Sequence, residues 1–314
     1  MRNRSILLAM LLALALVVAA CGSDNAATSA TTTKPTAAPA AFPLTVTADN
    51  GAVTIDKKPE RIVSLSASST EDLFAIGAGS QVKAVDDQST YPPEAPKTKL
   101  SGYTPNVEAI GGYNPDLVVM SDPSVAKELK AIKVPLLVLD APKTIDGAYA
   151  QIALLGKATG HGPEATKLTT KMRTDIAQIV SSTPKPATPL TYYHELDNTF
   201  YTVTSKTFIG NVYGLLGLKN VADPADKDAG GYPQLSAEYL LSADPDLVFL
   251  ADTKCCKQSA QTAAKRPGWN QLQAVKKSHV VALDDDIASR WGPRVVDFLR
   301  TIATAVQSAE KKAA

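Results

Sequence analysis

With 314 residues, 45% of them hydrophobic and 20% charged, the chain has material for about two ordinary globular domains. Its 32 basic residues face 31 acidic ones, which leaves no basic footprint for nucleic acid. No Gly-x-Ser-x-Gly elbow, P-loop or Gly-x-Gly-x-x-Gly turn occurs, so the signatures of a serine hydrolase and of a nucleotide-binding enzyme are both missing.

The N-terminus reads as an address. Arg2 and Arg4 precede an apolar run, Ile6 to Ala20, which at about 1.5 Å per residue is too short for a ~30 Å hydrocarbon core. The run ends in Val18-Ala19-Ala20-Cys21-Gly22, small residues before a cysteine, giving a signal peptide over residues 1–20. The same residues resemble the lipobox of bacterial lipoproteins, which implies cleavage before Cys21 and lipidation of its thiol. Several acyl chains, at about 0.8 kcal/mol per buried methylene, would hold the protein on the outer face of the cell membrane. A plain signal peptide with an incidental cysteine is the other reading. Residues 21–43 are rich in Ala, Thr, Pro and Ser and form a tether with too little apolar surface to fold.

Folded structure is expected from Leu44. Leu44–Thr47 and Val53–Ile55 alternate around Asp49-Asn50-Gly51, a hairpin signal. Pro59 to Ser66 enters a buried strand, and Ser68 with Glu71 predicts a capping-box start for a helix ending at Gly77. A strand over 82–85, a helix near 124–132 and a strand over 136–139 follow. The period of 3.6 predicts helices over 144–159 and 164–181, the second about 27 Å long if fully helical. Beyond Pro189 the same grammar returns: strand 190–196, helix 208–218, strands 247–250 and 280–283, and a closing helix over 293–308. Strands alternating with helices predict an α/β fold with mostly parallel sheets.

One stretch occurs twice. Asn106-Val-Glu-Ala-Ile-Gly-Gly-Tyr-Asn-Pro-Asp-Leu-Val-Val119 is echoed by Ser236-Ala-Glu-Tyr-Leu-Leu-Ser-Ala-Asp-Pro-Asp-Leu-Val-Phe249. Each copy predicts a helix capped by Asn106 or Ser236, a turn, then a buried strand. Glu108 and Glu238 stand at matching places. Two similar lobes would produce this pattern, although helix–turn–strand units starting at Pro-Asp also recur independently in α/β chains. The helix between the copies would then be a rigid strut.

These features together resemble the substrate-binding lipoproteins of ABC importers for cobalamin, ferric siderophores or haem, in which two Rossmann-like lobes are bridged by one long helix. The resemblance rests on Pro59-Glu-Arg-Ile-Val-Ser-Leu-Ser66 with Thr70-Glu71, Tyr91-Pro-Pro93, Asn106-Val-Glu108, Pro115-Asp-Leu-Val118, Leu155-Gly-Lys157, Glu238 with Pro245-Asp246, Trp269, and Ser289-Arg-Trp-Gly-Pro-Arg294. It covers residues 44 to 308 and is nearest the cobalamin-binding branch. It implies an N-terminal lobe over 44–160, a bridging helix over 161–183 and a C-terminal lobe over 184–314. A monomeric carrier with no catalytic residue and no cofactor of its own is implied as well. Glu108 and Glu238 fall where such proteins dock one glutamate per lobe against permease arginines.

Ligands of α/β sheets bind at the carboxyl ends of the strands. Tyr91, Tyr103, Tyr232, Arg290 and Trp291 lie on loops expected there, with Asp86 and Asp87 nearby, and the resemblance implies ligand contacts for the three tyrosines. Flat faces with polar tips suit a large chelate, though each aromatic could equally pack beneath its loop. A single cleft arginine favours a near-neutral ligand such as a corrinoid or a hydroxamate chelate, unless Arg290 or Arg294 pairs with Asp284–Asp286. The histidines at 161, 194 and 279 are scattered, so no metal site is expected, and His194 stays open as a ligand contact. Cys255 and Cys256 are candidates for a vicinal disulfide, with free thiols or a redox role as alternatives. A ferric-siderophore or haem carrier, a secreted hydrolase and a structural surface lipoprotein are the competing functions.

Overall fold

Alternation over 44–55 becomes an antiparallel hairpin, β1 (Leu44–Ala48) with β2 (Gly51–Ile55). The computed structural model describes residues 41–313 apart from residue 229. The expected signal peptide, Cys21 and the tether up to residue 40 lie outside the described residues.

The first lobe is built from β3 (Ile62–Leu65), α1 (Ala67–Ala75), β4 (Val82–Val85), α2 (Val107–Gly111), β5 (Leu117–Met120), α3 (Ala126–Ala131) and β6 (Leu136–Val138). Two long helices follow, α4 (Ile145–Thr159) and α5 (Gly162–Ser182). The second lobe holds β7 (Thr191–Glu195), α6 (Phe208–Gly214), β8 (Lys219–Asn220), α7 (Ala237–Ala243), β9 (Leu247–Leu250), α8 (Ala260–Ala264), α9 (Gln273–Lys276), β10 (Val280–Ala282), α10 (Asp285–Ala288) and α11 (Val295–Ala313). The two four-stranded sheets are parallel and ordered β4-β3-β5-β6 and β8-β7-β9-β10, the same arrangement strand for strand. The duplicated stretch occupies equivalent places: Asn106 caps α2 before β5, and Ser236 caps α7 before β9.

Two local expectations fail. Ser66 caps α1, its Oγ accepting from the Ser69 amide, so Ser68 and Glu71 lie inside the helix and form no capping box. The tract Ser66-Ala-Ser-Ser-Thr-Glu offers several caps, and the end of β3 at Leu65 selects the first. Helix α6 stops at Gly214 rather than Leu218, and Gly217, at φ 74°, turns the chain into the two-residue strand β8.

The lobes share a core. Ile62 of β3, Leu117 and Val119 of β5, and Leu247 and Phe249 of β9 point into one cluster with residues of α4, α5 and α11. The alternate residues Val63, Leu65, Val118 and Met120 fill a separate cluster on the outer face of the first lobe, and Tyr193, Val248 and Leu250 do so in the second. Both sheets are thus covered on two sides, as parallel sheets require. Helix α5 is 21 residues long, about 31 Å at 1.5 Å per residue. It buries Ala165, Met172 and Ile176 at helical spacing and packs on α4 and α11. Gly156 permits the tight α4–α5 approach, since a Cβ there would stand 2.4 Å from that of Ala165.

Candidate functional site

Because β3, β4 and β5 run parallel, the loops leaving them share one edge of the sheet. Ser66 and Ser68 after β3, Asp86 after β4, and Ser121 and Asp122 after β5 form one wall of a cavity of about 420 Å³. Asp286 of α10, with Ser289, Arg290 and Trp291 from the segment between α10 and α11, forms the facing wall. The cleft therefore lies between the lobes at carboxyl ends of strands.

The first wall is braced from behind. Thr70 Oγ1 donates to Ser64 Oγ at 2.8 Å and lies 2.9 Å from Ser89 Oγ, which donates to Asp86 Oδ1 at 2.5 Å. Burial raises the Asp86 pKa against the opposing bond from Ser89. On the far wall burial alone would raise Asp286, but the Lys254 ammonium and the Arg290 charge carry it below the ordinary carboxylate range. Gly102 sets the loop that presents Tyr103, for a Cβ there would meet Asp86 Oδ2 at 2.7 Å and the Leu65 carbonyl at 2.9 Å.

Of the expected ligand residues, Tyr103, Arg290 and Trp291 line this cavity. Tyr103 is 85% exposed. Trp291 is half-buried, its amide donates to Ser68 Oγ at 3.2 Å, and its indole N–H has no acceptor among the described residues. Tyr91 is placed elsewhere. It lines a separate groove of about 340 Å³ with Glu71, Pro92, Glu94 and Arg294, and the Arg294 guanidinium sits 4.2 Å over its ring. Tyr232 is exposed in the second lobe, near Tyr201, whose backbone bridges to Gln234. Tyr201 is 42% exposed just past β7, and the sequence reading passed over it. An aromatic a few residues beyond a buried strand was the available signal.

Arg290 is engaged within the protein. Its side chain, 9% exposed, donates to Glu71 Oε1 at 3.1 Å, to the Gln88 carbonyl at 2.7 Å and to Asp286 Oδ1 at 3.0 Å. The pairing with Asp286 is the alternative left open by the sequence, and Glu71 is a partner the sequence did not suggest. His194 is fully buried: Nδ1 lies 2.8 Å from the Tyr213 hydroxyl, the ring is edge-on to Phe298, and burial drives its pKa down to about 3. Such a ring faces no ligand.

Cys255 and Cys256 are held as free thiols rather than as the expected vicinal disulfide. The Cys255 amide donates to Asp285 Oδ2 and the Cys256 amide to the Asp252 carbonyl, which fixes the two residues in an open turn. Burial, and the neighbouring Cys256 thiol, push the Cys255 thiol up to about 12. Among the described residues no group of three or more His, Cys, Asp or Glu side chains converges on a metal position. Glu108 and Glu238 are both exposed on the first turns of α2 and α7, the same place in each lobe.

The periplasmic binding protein family model matches residues 62–287. An ABC transporter substrate-binding lipoprotein of Bacillus subtilis is 30% identical over 84% of this chain and 86% of its own. A cobalamin-binding protein of Halobacterium salinarum is 33% identical over 84% of this chain and 74% of its own. Among solved structures, the vitamin B12-binding protein BtuF of Vibrio cholerae superposes with a TM-score of 0.66 at 25% identity, over 81% of this chain and 99% of its own. The apo haem-binding protein RhuT of Roseiflexus gives 0.68 at 25% identity, over 80% and 99%. Two equivalent parallel lobes, a bridging helix and a cleft at the strand ends accord with these relatives, and the chain belongs to the periplasmic binding protein family.

Proposed function

We propose that this substrate-binding protein of an ABC importer captures a large, uncharged or cationic chelate, a corrinoid by preference, and hands it to the permease. One observation carries the ligand class. The cavity between the lobes is lined by Asp86, Asp122 and Asp286, by serine hydroxyls and by Trp291 and Tyr103, and its arginine is neutralised by Glu71 and Asp286. Such a wall offers hydrogen bonds to amides and flat contact to a ring, but no free cation to pair with an anionic siderophore. The relatives named for cobalamin point the same way. A ferric hydroxamate or haem is the second reading, favoured by the likeness to the haem-binding protein.

In this account Tyr103, Tyr232, Arg290 and Trp291 surround the ligand, with Tyr201 added to the second lobe's rim, while Tyr91, expected there from the sequence, keeps to its own groove beneath Arg294. Glu108 and Glu238 orient docking on two basic pockets of the permease. Lipidated Cys21 keeps the carrier, a monomer without catalysis, at the outer face of the membrane. The protein has two tryptophans. Trp269 is buried against Tyr193 and Phe200, whereas Trp291 lines the cavity. Cyanocobalamin should quench tryptophan fluorescence saturably, and W291F should abolish most of the quench while leaving the fold intact. Saturable binding with no change in Trp291 emission would remove this cavity as the site.

A further inference from the structure

The two lobes are tied at a second place besides α5. Arg294 of the second lobe donates from Nε to Glu71 Oε2 at 2.9 Å and from Nη2 to Glu71 Oε1 at 2.5 Å. Arg290 joins the same carboxylate, and its Nη2 reaches the Gln88 carbonyl of the first lobe. The Trp291 amide donates to Ser68 Oγ, and Thr90 Oγ1 donates to Asp286 Oδ2 at 3.3 Å. Gly292 lies directly over the cluster, where a Cβ would stand 3.2 Å from both Cβ and Oε2 of Glu71.

Charge and burial make this more than a surface contact. The Glu71 side chain is 1% exposed, and it serves two guanidiniums that are themselves 9% and 17% exposed. The second positive charge is met by Asp286, which in turn holds Lys254. Exposed ion pairs contribute little, but breaking a buried one strands charge away from water. A hinge motion about α5 would have to pull Glu71 out from between both arginines. The cluster is also a partition. Arg290 lines the cavity of about 420 Å³ that also holds Trp291, whereas Glu71 and Arg294 line the groove of about 340 Å³ beneath Tyr91.

We infer that Glu71, Arg290 and Arg294 form an interlobe clamp that fixes the width of the cleft, with Glu71 the positioning residue for the Arg290–Trp291 wall. The shared core, α5 and the clamp together leave the lobes no free hinge axis. The carrier then binds in a preset cleft and does not close around its ligand. The coupling of the lobes stands apart from the ligand's identity; only the effect on affinity rests on the corrinoid reading.

The test compares the full-length chain in detergent with E71Q, which keeps the side chain's shape and removes its charge. Spin labels at Lys127 and Lys265, exposed in the first and second lobes, on a C255S/C256S background report the interlobe distance by electron resonance. The wild-type distribution should be narrow and unmoved by cyanocobalamin. E71Q should broaden it toward longer distances without ligand and raise the cyanocobalamin Kd at least tenfold, and R294K, which keeps Glu71, its contact with Arg290 and a positive charge, should show a smaller change in both readouts. Should E71Q fail to fold, R294Q, which keeps the Arg290–Glu71 contact, is measured the same way. A folded variant with the wild-type distribution overturns the clamp. A broadened distribution with unchanged Kd overturns the positioning role. Failure of the wild type to bind cyanocobalamin would strike the ligand reading alone, since the distance measurement still decides the clamp.

Discussion

Asp116 and Asp246 make the same contact in the two lobes. The Asp116 carboxylate accepts from the amides of Glu60 and Arg61, at 3.0 and 2.9 Å, where the chain enters β3. The Asp246 carboxylate accepts from the amide and hydroxyl of Thr191, at 2.9 and 2.8 Å, at the start of β7. Each aspartate directly precedes the strand that closes the repeated stretch and ties it to the central strand beside it. The Pro-Asp of the repeat is therefore a strand-pairing device. Charge-assisted bonds of this kind contribute roughly 1.5–3 kcal/mol, so D116A and D246A should each lower urea stability by about that amount. A loss at one position only would show that the lobes are not held alike.

Asp252 supplies a pH dependence. It is fully buried past β9, near Glu195, whose carboxylate is held by Arg266 at 2.5 and 2.6 Å. Burial, then the negative charge of Glu195, pushes the Asp252 carboxyl up to about 7. Its folded pKa lies above the unfolded one, so folding favours the protonated form. Stability from this group is full below the unfolded carboxylate range, falls as pH rises towards 7, and levels off above it. D252N should be more stable than wild type at pH 8 and should lose that advantage near pH 4. Parallel stability–pH curves for the two proteins would contradict this.

Gly102 holds Tyr103 in the cleft by permitting backbone contact with Leu65. G102A must move the loop or Asp86, and overpacking of this kind costs roughly 1–3 kcal/mol. Weaker ligand binding together with a lowered melting temperature is expected; wild-type affinity would show that the loop's position is immaterial to the ligand.

The double variant E108A/E238A should keep wild-type ligand affinity and lose uptake by cells at least tenfold, because close interfacial charge pairs are worth roughly 1.5–7 kcal/mol. Each single variant should fall between. Loss of ligand affinity with intact uptake would reverse the assignment.

Strands such as β3, β5 and β9 were legible as short apolar runs, and the helices through the 3.6 period over 144–159 or through caps such as Asn106 and Ser236. The duplicated stretch exposed the two lobes. Glu71 was misread because Ser-x-x-Glu is a local pattern, whereas its arginine partners lie more than two hundred residues away in the chain. Arg290 was read as a ligand charge, with a pairing to Asp284–Asp286 left open, for the same reason: two of its acceptors, Glu71 of α1 and the Gln88 carbonyl after β4, belong to the other lobe. Tyr91 and Tyr103 look alike in sequence, and only the path of the loop between β4 and α2 separates them into two cavities. Periodicity finds faces of elements; it does not find which loops meet.

The most direct measurement is a calorimetric titration of the full-length chain in detergent with cyanocobalamin, a cationic ferric hydroxamate, haem and ferric citrate under the same conditions. The cleft's carboxylates and its neutralised arginine predict saturable sub-micromolar binding of cyanocobalamin, weaker binding of the hydroxamate, and none of the anionic chelates. Tight binding of haem or ferric citrate, with cyanocobalamin unbound, would contradict the account.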